Sequence, residues 1–189
     1  MQHLEPLEAG VDIETTGLER GDHRIIEVYI GLYRGDKLLK EFNQRIDPQR
    51  SIAKEAQDVH KISSADLVGM PVWSAVAPTV HAFLNKADSW VAHNGNDFDF
   101  PFIAYELKRA GLVMPEKPTV DTMHFSWATP DGKKPNLREL CLACDVPYDP
   151  SLAHAADYDV HRMMESLFAA RRFGYVEWPQ VAVQIPAAA

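Results

Sequence analysis

Short apolar runs separated by turn residues in the first half of the chain predict β-strands. A first strand is expected at about residues 9–15, because charged residues and a proline interrupt the apolar run before it. Residues 24–46 are rich in Ile, Val, Tyr and Phe on both sides of a central Gly-Asp pair, which predicts a hairpin. Residues 90–92 predict one further, brief strand.

Apolar positions at helical spacing predict three longer helices. The first covers about residues 73–87, where Pro78 is expected to kink or limit it. The second has Asp99 near its amino end and stops at Gly111, and the third runs from about His154 to Phe173. This order of elements predicts an α/β fold with a central mixed β-sheet flanked by α-helices.

Length and composition narrow the class of protein. The chain has 189 residues, 46% of them hydrophobic, which predicts one domain over 1–189 with a core at about 9–175 and a short, loosely ordered tail. No apolar run approaches the roughly 20 residues of a membrane span, and the amino-terminal segment lacks the layout of a signal peptide. We therefore expect no membrane partner and a cytoplasmic location.

The net charge of −8 argues against a protein that coats nucleic acid, because the field of the whole molecule repels polyanions. It is compatible with an enzyme that holds divalent cations in an acidic cleft.

Cys141 and Cys144 form a single C-L-A-C pair inside an apolar helical stretch. One such pair does not complete a four-ligand zinc site, so packing is favoured over a redox or metal role.

Asp12 and Glu14 lie two residues apart in the first predicted strand, so both side chains point to the same face. Two carboxylates packed together repel each other unless a cation lies between them. A D-x-E pattern alone is typical of a solvated strand face, but here T-T-G-L follows it directly. A sharp turn there can present backbone N–H groups to the end of a substrate.

Two further polar clusters follow later in the chain. Asp97 and Asp99 lie at a predicted helix start, where capping is the simpler interpretation, and His154 and Asp159 stand five residues apart near the start of the last helix. Four acids at separate element ends could converge on one site: Asp12, Glu14, Asp99 and Asp159. Such oxygen ligands suit Mg²⁺ or Mn²⁺, and two ions about 4 Å apart can bind both oxygens of an in-line phosphodiester displacement.

The motifs D-I-E-T-T-G-L, H-N-x-x-x-F-D and H-x-x-x-x-D, in this order and spacing, resemble those of the DnaQ-like exonucleases of the DEDDh type. The family has a ribonuclease-H-like fold, and the resemblance covers about residues 11–168. It implies that the four acids bind the metals and that His154 is the general base. Asp157 is an alternative ligand, although the spacing favours Asp159.

The resemblance also implies a set of residues that contact the terminal nucleotide: Thr15, Thr16, Gly17, Leu18, His60, Asn94 and Phe98. Phe98 and its neighbour Phe100 are candidates for stacking on bases, with a place in the core as the alternative. The segment HNGNDFDFP has one residue more than is usual in bacterial proofreading subunits and is more similar to the animal three-prime repair exonucleases.

The implied activity is 3′–5′ exonuclease action with two Mg²⁺ or Mn²⁺ ions, releasing nucleoside 5′-monophosphates. The acidic net charge offers no long basic groove for a duplex, so we expect a single-stranded 3′ end to be preferred, and the HNGNDFDFP similarity favours DNA over RNA. Two alternatives stay open: an exoribonuclease of the same family, and a non-catalytic module that binds a polymerase or a 3′ end. A homodimer and a polymerase or repair partner are also possible implications of the resemblance.

Overall fold

The computed structural model describes residues 5–177, which form a five-stranded mixed sheet flanked by helices, as predicted. The sheet order is β3-β2-β1-β4-β5. Strand β2 is antiparallel to both β1 and β3, whereas β1, β4 and β5 are parallel to one another. The strands are β1 (Leu7–Thr15), β2 (Ile25–Arg34), β3 (Lys37–Arg45), β4 (Ser89–Ala92) and β5 (Thr119–Asp121). The helices are α1 (Lys54–His60), α2 (Trp73–Lys86), α3 (Asp99–Arg109), α4 (Leu137–Ala143) and α5 (Ala156–Arg172).

The two faces of strand β1 pack against different helices, one on each side of the sheet. Its odd-numbered residues pack in one buried cluster with apolar side chains of α2 and α3. Its even-numbered residues face α5, which lies so close that a Cβ on Gly10 would be 2.7 Å from Val160 Cγ1. The strand thereby carries Asp12 and Glu14 on the α5 side of the sheet.

The first strand begins earlier than predicted, at Leu7, because both polar groups at its start have partners. Glu8 is buried in an ion pair with Arg171 of α5, and the Leu7 N–H donates to Asp88 Oδ2 at 2.8 Å. The prediction that Glu8 interrupts the strand was therefore wrong. The pair also shows that α5 runs antiparallel to β1, since its last turn contacts the start of the strand.

Pro78 does not end its helix, and the last helix starts two residues later than predicted. Helix α2 continues for eight residues beyond Pro78, because the proline and Ser74 four residues earlier are both exposed. Water can therefore bond to the Ser74 carbonyl that the missing proline N–H leaves free. Helix α5 begins at Ala156 and not at His154, because His154 has a left-handed backbone with φ of 65°.

Cys141 and Cys144 are free thiols buried where α4 packs on α5, in agreement with the packing interpretation. Burial raises the pKa of both, that of Cys144 to about 11.

Within residues 5–177, no helix combines the length and the apolar character that crossing a membrane requires. The tail predicted to be loosely ordered lies outside the described residues.

Candidate active site

The predicted metal-binding acids come together at one edge of the sheet, the one formed by the carboxyl ends of β1 and β4. Because β1 and β4 are parallel, both strands end at this edge, and the chain after β4 enters α3 beside the end of β1. Asp99, the first residue of α3, is only 3% exposed, and its Oδ1 accepts the N–H of Ile13 at 3.1 Å. The Asp99 carboxylate is thereby fixed beside the backbone between Asp12 and Glu14.

The start of α5 brings the remaining two predicted residues to the same edge. The backbone N–H of His154 donates to Asp159 Oδ2 at 2.9 Å, while the His154 side chain stays exposed. Asp159 Oδ1 is buried and has no hydrogen-bond partner in the part of the chain that the structure describes. Asp157 is exposed, so Asp159 is the better placed acid of the two.

The charges of these acids act on one another. Burial raises the pKa of Asp12 well above its usual range, and the charges of Asp99, Glu14 and Asp159 raise it further. Burial and then the charge of Glu27 raise the pKa of Glu14 to about 8. Burial raises the pKa of Asp99 to about 7, against the opposing hydrogen bond from Ile13. The four acids are therefore close enough to repel, and a cation among them would relieve this repulsion.

The donor set fits a hard divalent cation. All four side chains offer oxygen, and the partnerless Oδ1 of Asp159 is a buried acceptor beside the other acids. As they stand, no three His, Cys, Asp or Glu side chains among residues 5–177 are arranged as a complete metal-binding set. The four carboxylates are thus neighbours, and their fit to a cation rests on their burial and mutual repulsion.

The turn after β1 is held by its own hydroxyl groups. Thr15 Oγ1 donates to the Gly17 carbonyl at 2.8 Å, and the buried Thr16 Oγ1 accepts the Arg24 N–H at 3.0 Å. A Cβ on Gly17 would collide with the ring of His23. Leu18 is 79% exposed at the tip of the turn. Thr16 thus stabilises the turn, while Leu18 is the side chain free to contact a substrate.

The other predicted contact residues differ in exposure, and of them only His60 is a lining residue of the cavities described below. His60 is buried, and its Nδ1 accepts the Ile62 N–H at 3.0 Å. Asn94 has a left-handed backbone with φ of 72°, and Phe98 is half-buried against Phe102. Phe100 is buried against Trp90 and belongs to the core.

Two acids that the sequence analysis did not single out also lie at this site. Asp121, at the end of β5, accepts the N–H groups of Asn94, Asn96 and Met123 and so fixes the loop after β4. Glu27 lies directly opposite Glu14 on β2. Asp121 ends a strand of only three residues, and Glu27 lies near the start of the ten-residue strand β2, so neither acid gives a signal until the neighbouring strand is known.

His154 separates two cavities. A cavity of about 590 Å³ is lined by Asp12, Asp159, Arg138 and Tyr148, among others. A second, of about 410 Å³, is lined by Glu27, Arg45, His60 and Asp157, among others, and His154 borders both. The His154 side chain is therefore accessible from both cavities.

His93 also lines the larger cavity. Burial lowers its pKa to about 4, and its Nδ1 lies 2.8 Å from Thr122 Oγ1. Of the two histidines, His154 is the one whose side chain is exposed.

Comparison with known proteins gives consistent matches. The profile of the exonuclease family of RNase T type matches residues 10–167. The DNA polymerase III of PolC type from Ureaplasma parvum is 32% identical over 149 residues, 78% of this chain and 10% of that protein. Three prime repair exonuclease 2 of Mus musculus is 26% identical over 186 residues, 82% of this chain and 79% of that protein. This chain thus spans only about a tenth of the PolC-type relative but most of the mouse relative.

Solved structures agree on the fold. Exonuclease X in complex with 5′-overhanging duplex DNA has a TM-score of 0.65 at 24% identity, covering 90% of this chain and 95% of its own. Escherichia coli Exonuclease I in complex with a dA16 oligonucleotide has a TM-score of 0.77 at 14% identity, covering 89% and 41%. At these identities the likeness establishes a shared fold.

Proposed function

Because this chain belongs to the exonuclease family of RNase T type, we propose that it is a metal-dependent 3′–5′ exonuclease that releases nucleoside 5′-monophosphates. The observation that carries this proposal is the hydrogen bond from Ile13 to Asp99, which fixes a third carboxylate between Asp12 and Glu14. The burial of this group and the neighbouring Asp159 support a cation-binding role for all four acids.

Two Mg²⁺ or Mn²⁺ ions held by the four acids would supply the positive charge that phosphodiester cleavage requires at the attacking and leaving oxygens. His154 accepts the proton of the attacking water, because its imidazole is exposed and borders both cavities beside the acids. Its backbone contact with Asp159 holds it beside the acids. Leu18 and Phe98 contact the last nucleotides, and the Thr15 to Gly17 turn limits how far the 3′ end can enter.

We propose single-stranded DNA as the preferred substrate. The net charge of −8 disfavours a long basic groove for a duplex, and the Exonuclease I neighbour binds a dA16 oligonucleotide. The Exonuclease X neighbour binds a duplex with a 5′ overhang, so strandedness has to be compared directly. RNA is the second candidate, since the discrimination depends on how the pocket treats a 2′-hydroxyl.

Partners and location follow as further proposals. The similarity to a PolC-type polymerase supports a polymerase or repair partner, and a homodimer is equally compatible with the chain. We place its action in the cytoplasm, where its nucleic-acid substrates would be. A non-catalytic binding module is disfavoured because all five chemical positions, the four acids and His154, carry the expected residue.

The test is Mg²⁺-dependent release of mononucleotide from labelled oligonucleotides, run on DNA and RNA in parallel. Wild-type protein should release mononucleotide from DNA, and Asp12→Asn should lose this activity because it loses a charged ligand. Asp36→Asn, an exposed acid at the hairpin turn, serves as the matched control and should stay active. Equal release by wild type and Asp12→Asn would refute the assignment, and faster release from RNA would favour the ribonuclease alternative.

A further inference from the structure

A row of three charged residues crosses the sheet next to the proposed metal site. Glu14 on β1 lies directly opposite Glu27 on β2, and Glu27 lies directly opposite Arg45 on β3. Side chains that stand directly opposite in antiparallel strands have Cβ atoms about 5 Å apart and point to the same face. The row therefore lies on the α5 side of the sheet, the side that carries Asp12 and Glu14.

The two acids of this row are an unfavourable pair without a cation. Glu27 is only 7% exposed, and like charges directly opposite on a sheet destabilise it. Arg45 Nε donates to Glu27 Oε1 at 3.1 Å, which compensates the charge of Glu27. Among the described residues, no ion pair involves Glu14, whose charge is left for a bound cation.

Glu27 lies in the same cavity as the proposed base, His154. It lines the 410 Å³ cavity together with Arg45, His154 and Asp157. Helix α5 starts at Ala156, so the helix does not extend over this end of the sheet as it does over Tyr29 and Tyr33. Glu27 thus faces an open cavity shared with the proposed base.

We propose that Glu27 is a positioning residue of the metal site, whose negative charge strengthens cation binding at Asp12 and Glu14, and that Arg45 weakens this effect. The inference rests on the proposed function, because it requires a cation at these acids. The rival explanation is a structural ion pair between β2 and β3 with no influence on the metal. The two explanations make different predictions. If Glu27 acts on the metal, removing Glu27 should weaken metal binding and removing Arg45 should strengthen it; a structural ion pair predicts no such opposite shifts.

The experiment is Mn²⁺ titration of the full chain, without nucleic acid, by calorimetry at low ionic strength. Glu27→Gln keeps the side-chain shape and removes one negative charge. A unit charge about 8 Å from a divalent ion changes affinity by about fivefold even at the dielectric constant of water. Glu27→Gln should therefore weaken Mn²⁺ binding by about fivefold, and Glu27→Asp, which keeps the charge, should weaken it less.

Arg45→Met should act in the opposite direction. It leaves Glu27 uncompensated, so Mn²⁺ should bind about twofold to threefold more tightly. Two matched controls change the same charges elsewhere: Glu41→Gln on β3 and Arg34→Met at the far, exposed end of β2. Both should shift Mn²⁺ affinity by less than either test variant.

The outcomes separate this inference from the proposed function. Opposite shifts for Glu27→Gln and Arg45→Met support the inference. Unchanged affinity, or loss of stability in both variants with no opposite shift, would overturn it while leaving the exonuclease proposal standing. If the wild-type chain binds no Mn²⁺, the proposed function itself fails, and the inference fails with it.

Discussion

Replacing Glu14 by glutamine should make the metal-free protein more stable at pH 8 and leave its stability almost unchanged near pH 4.5. Burial and the charge of Glu27 raise the pKa of Glu14 from 4.5 to about 8 in the folded chain. A carboxyl group of this kind binds more protons when folded than when unfolded, so the wild-type protein loses stability as the pH rises through this window. Glutamine stays neutral and avoids this loss.

A pKa rise from 4.5 to about 8 corresponds to about 4 to 5 kcal/mol at about 1.4 kcal/mol per tenfold change in proton affinity. The neighbouring acids share this cost, because protonation of Asp12 or Asp99 also relieves Glu14. We therefore expect Glu14→Gln to raise the free energy of unfolding at pH 8 by about half of that amount, roughly 2 to 3 kcal/mol.

The assay is urea unfolding in EDTA at a series of pH values between 4.5 and 8. Glu55→Gln in α1 is the control, because this acid is exposed and its replacement should leave the wild-type profile unchanged. Parallel profiles for the wild type and Glu14→Gln would refute the reasoning, since they would mean that the buried acids do not repel each other in the folded chain.

Four further variants test individual roles. His154→Ala should lose about 10²-fold or more in turnover while Mn²⁺ binding measured by calorimetry persists, and a wild-type rate at neutral pH would exclude it as the base. Asp159→Asn should abolish mononucleotide release and Asp157→Asn should not, so the reverse result would exchange their roles. Leu18→Ala should raise KM for a single-stranded oligonucleotide by about fivefold, the loss of one weak base contact, and an unchanged KM would remove Leu18 from the substrate contacts.

The sequence predicted the parts of the site that depend on local periodicity. The two-residue spacing of Asp12 and Glu14 places them on one face of any strand, and Asp99 follows from a helix start with Pro101 in its first turn. The metal roles of these acids and the base role of His154 stay predictions, since they depend on chemistry that only the experiments above measure.

Other parts required tertiary structure. Strand β5 has only three residues, too few for a periodic signal, so Asp121 could not be placed at the edge of the sheet in advance. The importance of Glu27 depends on strand register, which sets it opposite Glu14. The local sequence predicts an interruption at Glu8, because its partner Arg171 is 163 residues away.

The most direct test of the account uses three DNA oligonucleotides labelled at the 5′ end: single-stranded, blunt duplex, and single-stranded with a blocked 3′ end. In Mg²⁺, the wild-type chain should shorten the first stepwise, shorten the second more slowly and leave the third almost intact. Shortening from the 5′ end, or internal cuts in a circular single strand, would contradict the claim that the acids around Asp12 and Asp99 cleave at a 3′ terminus.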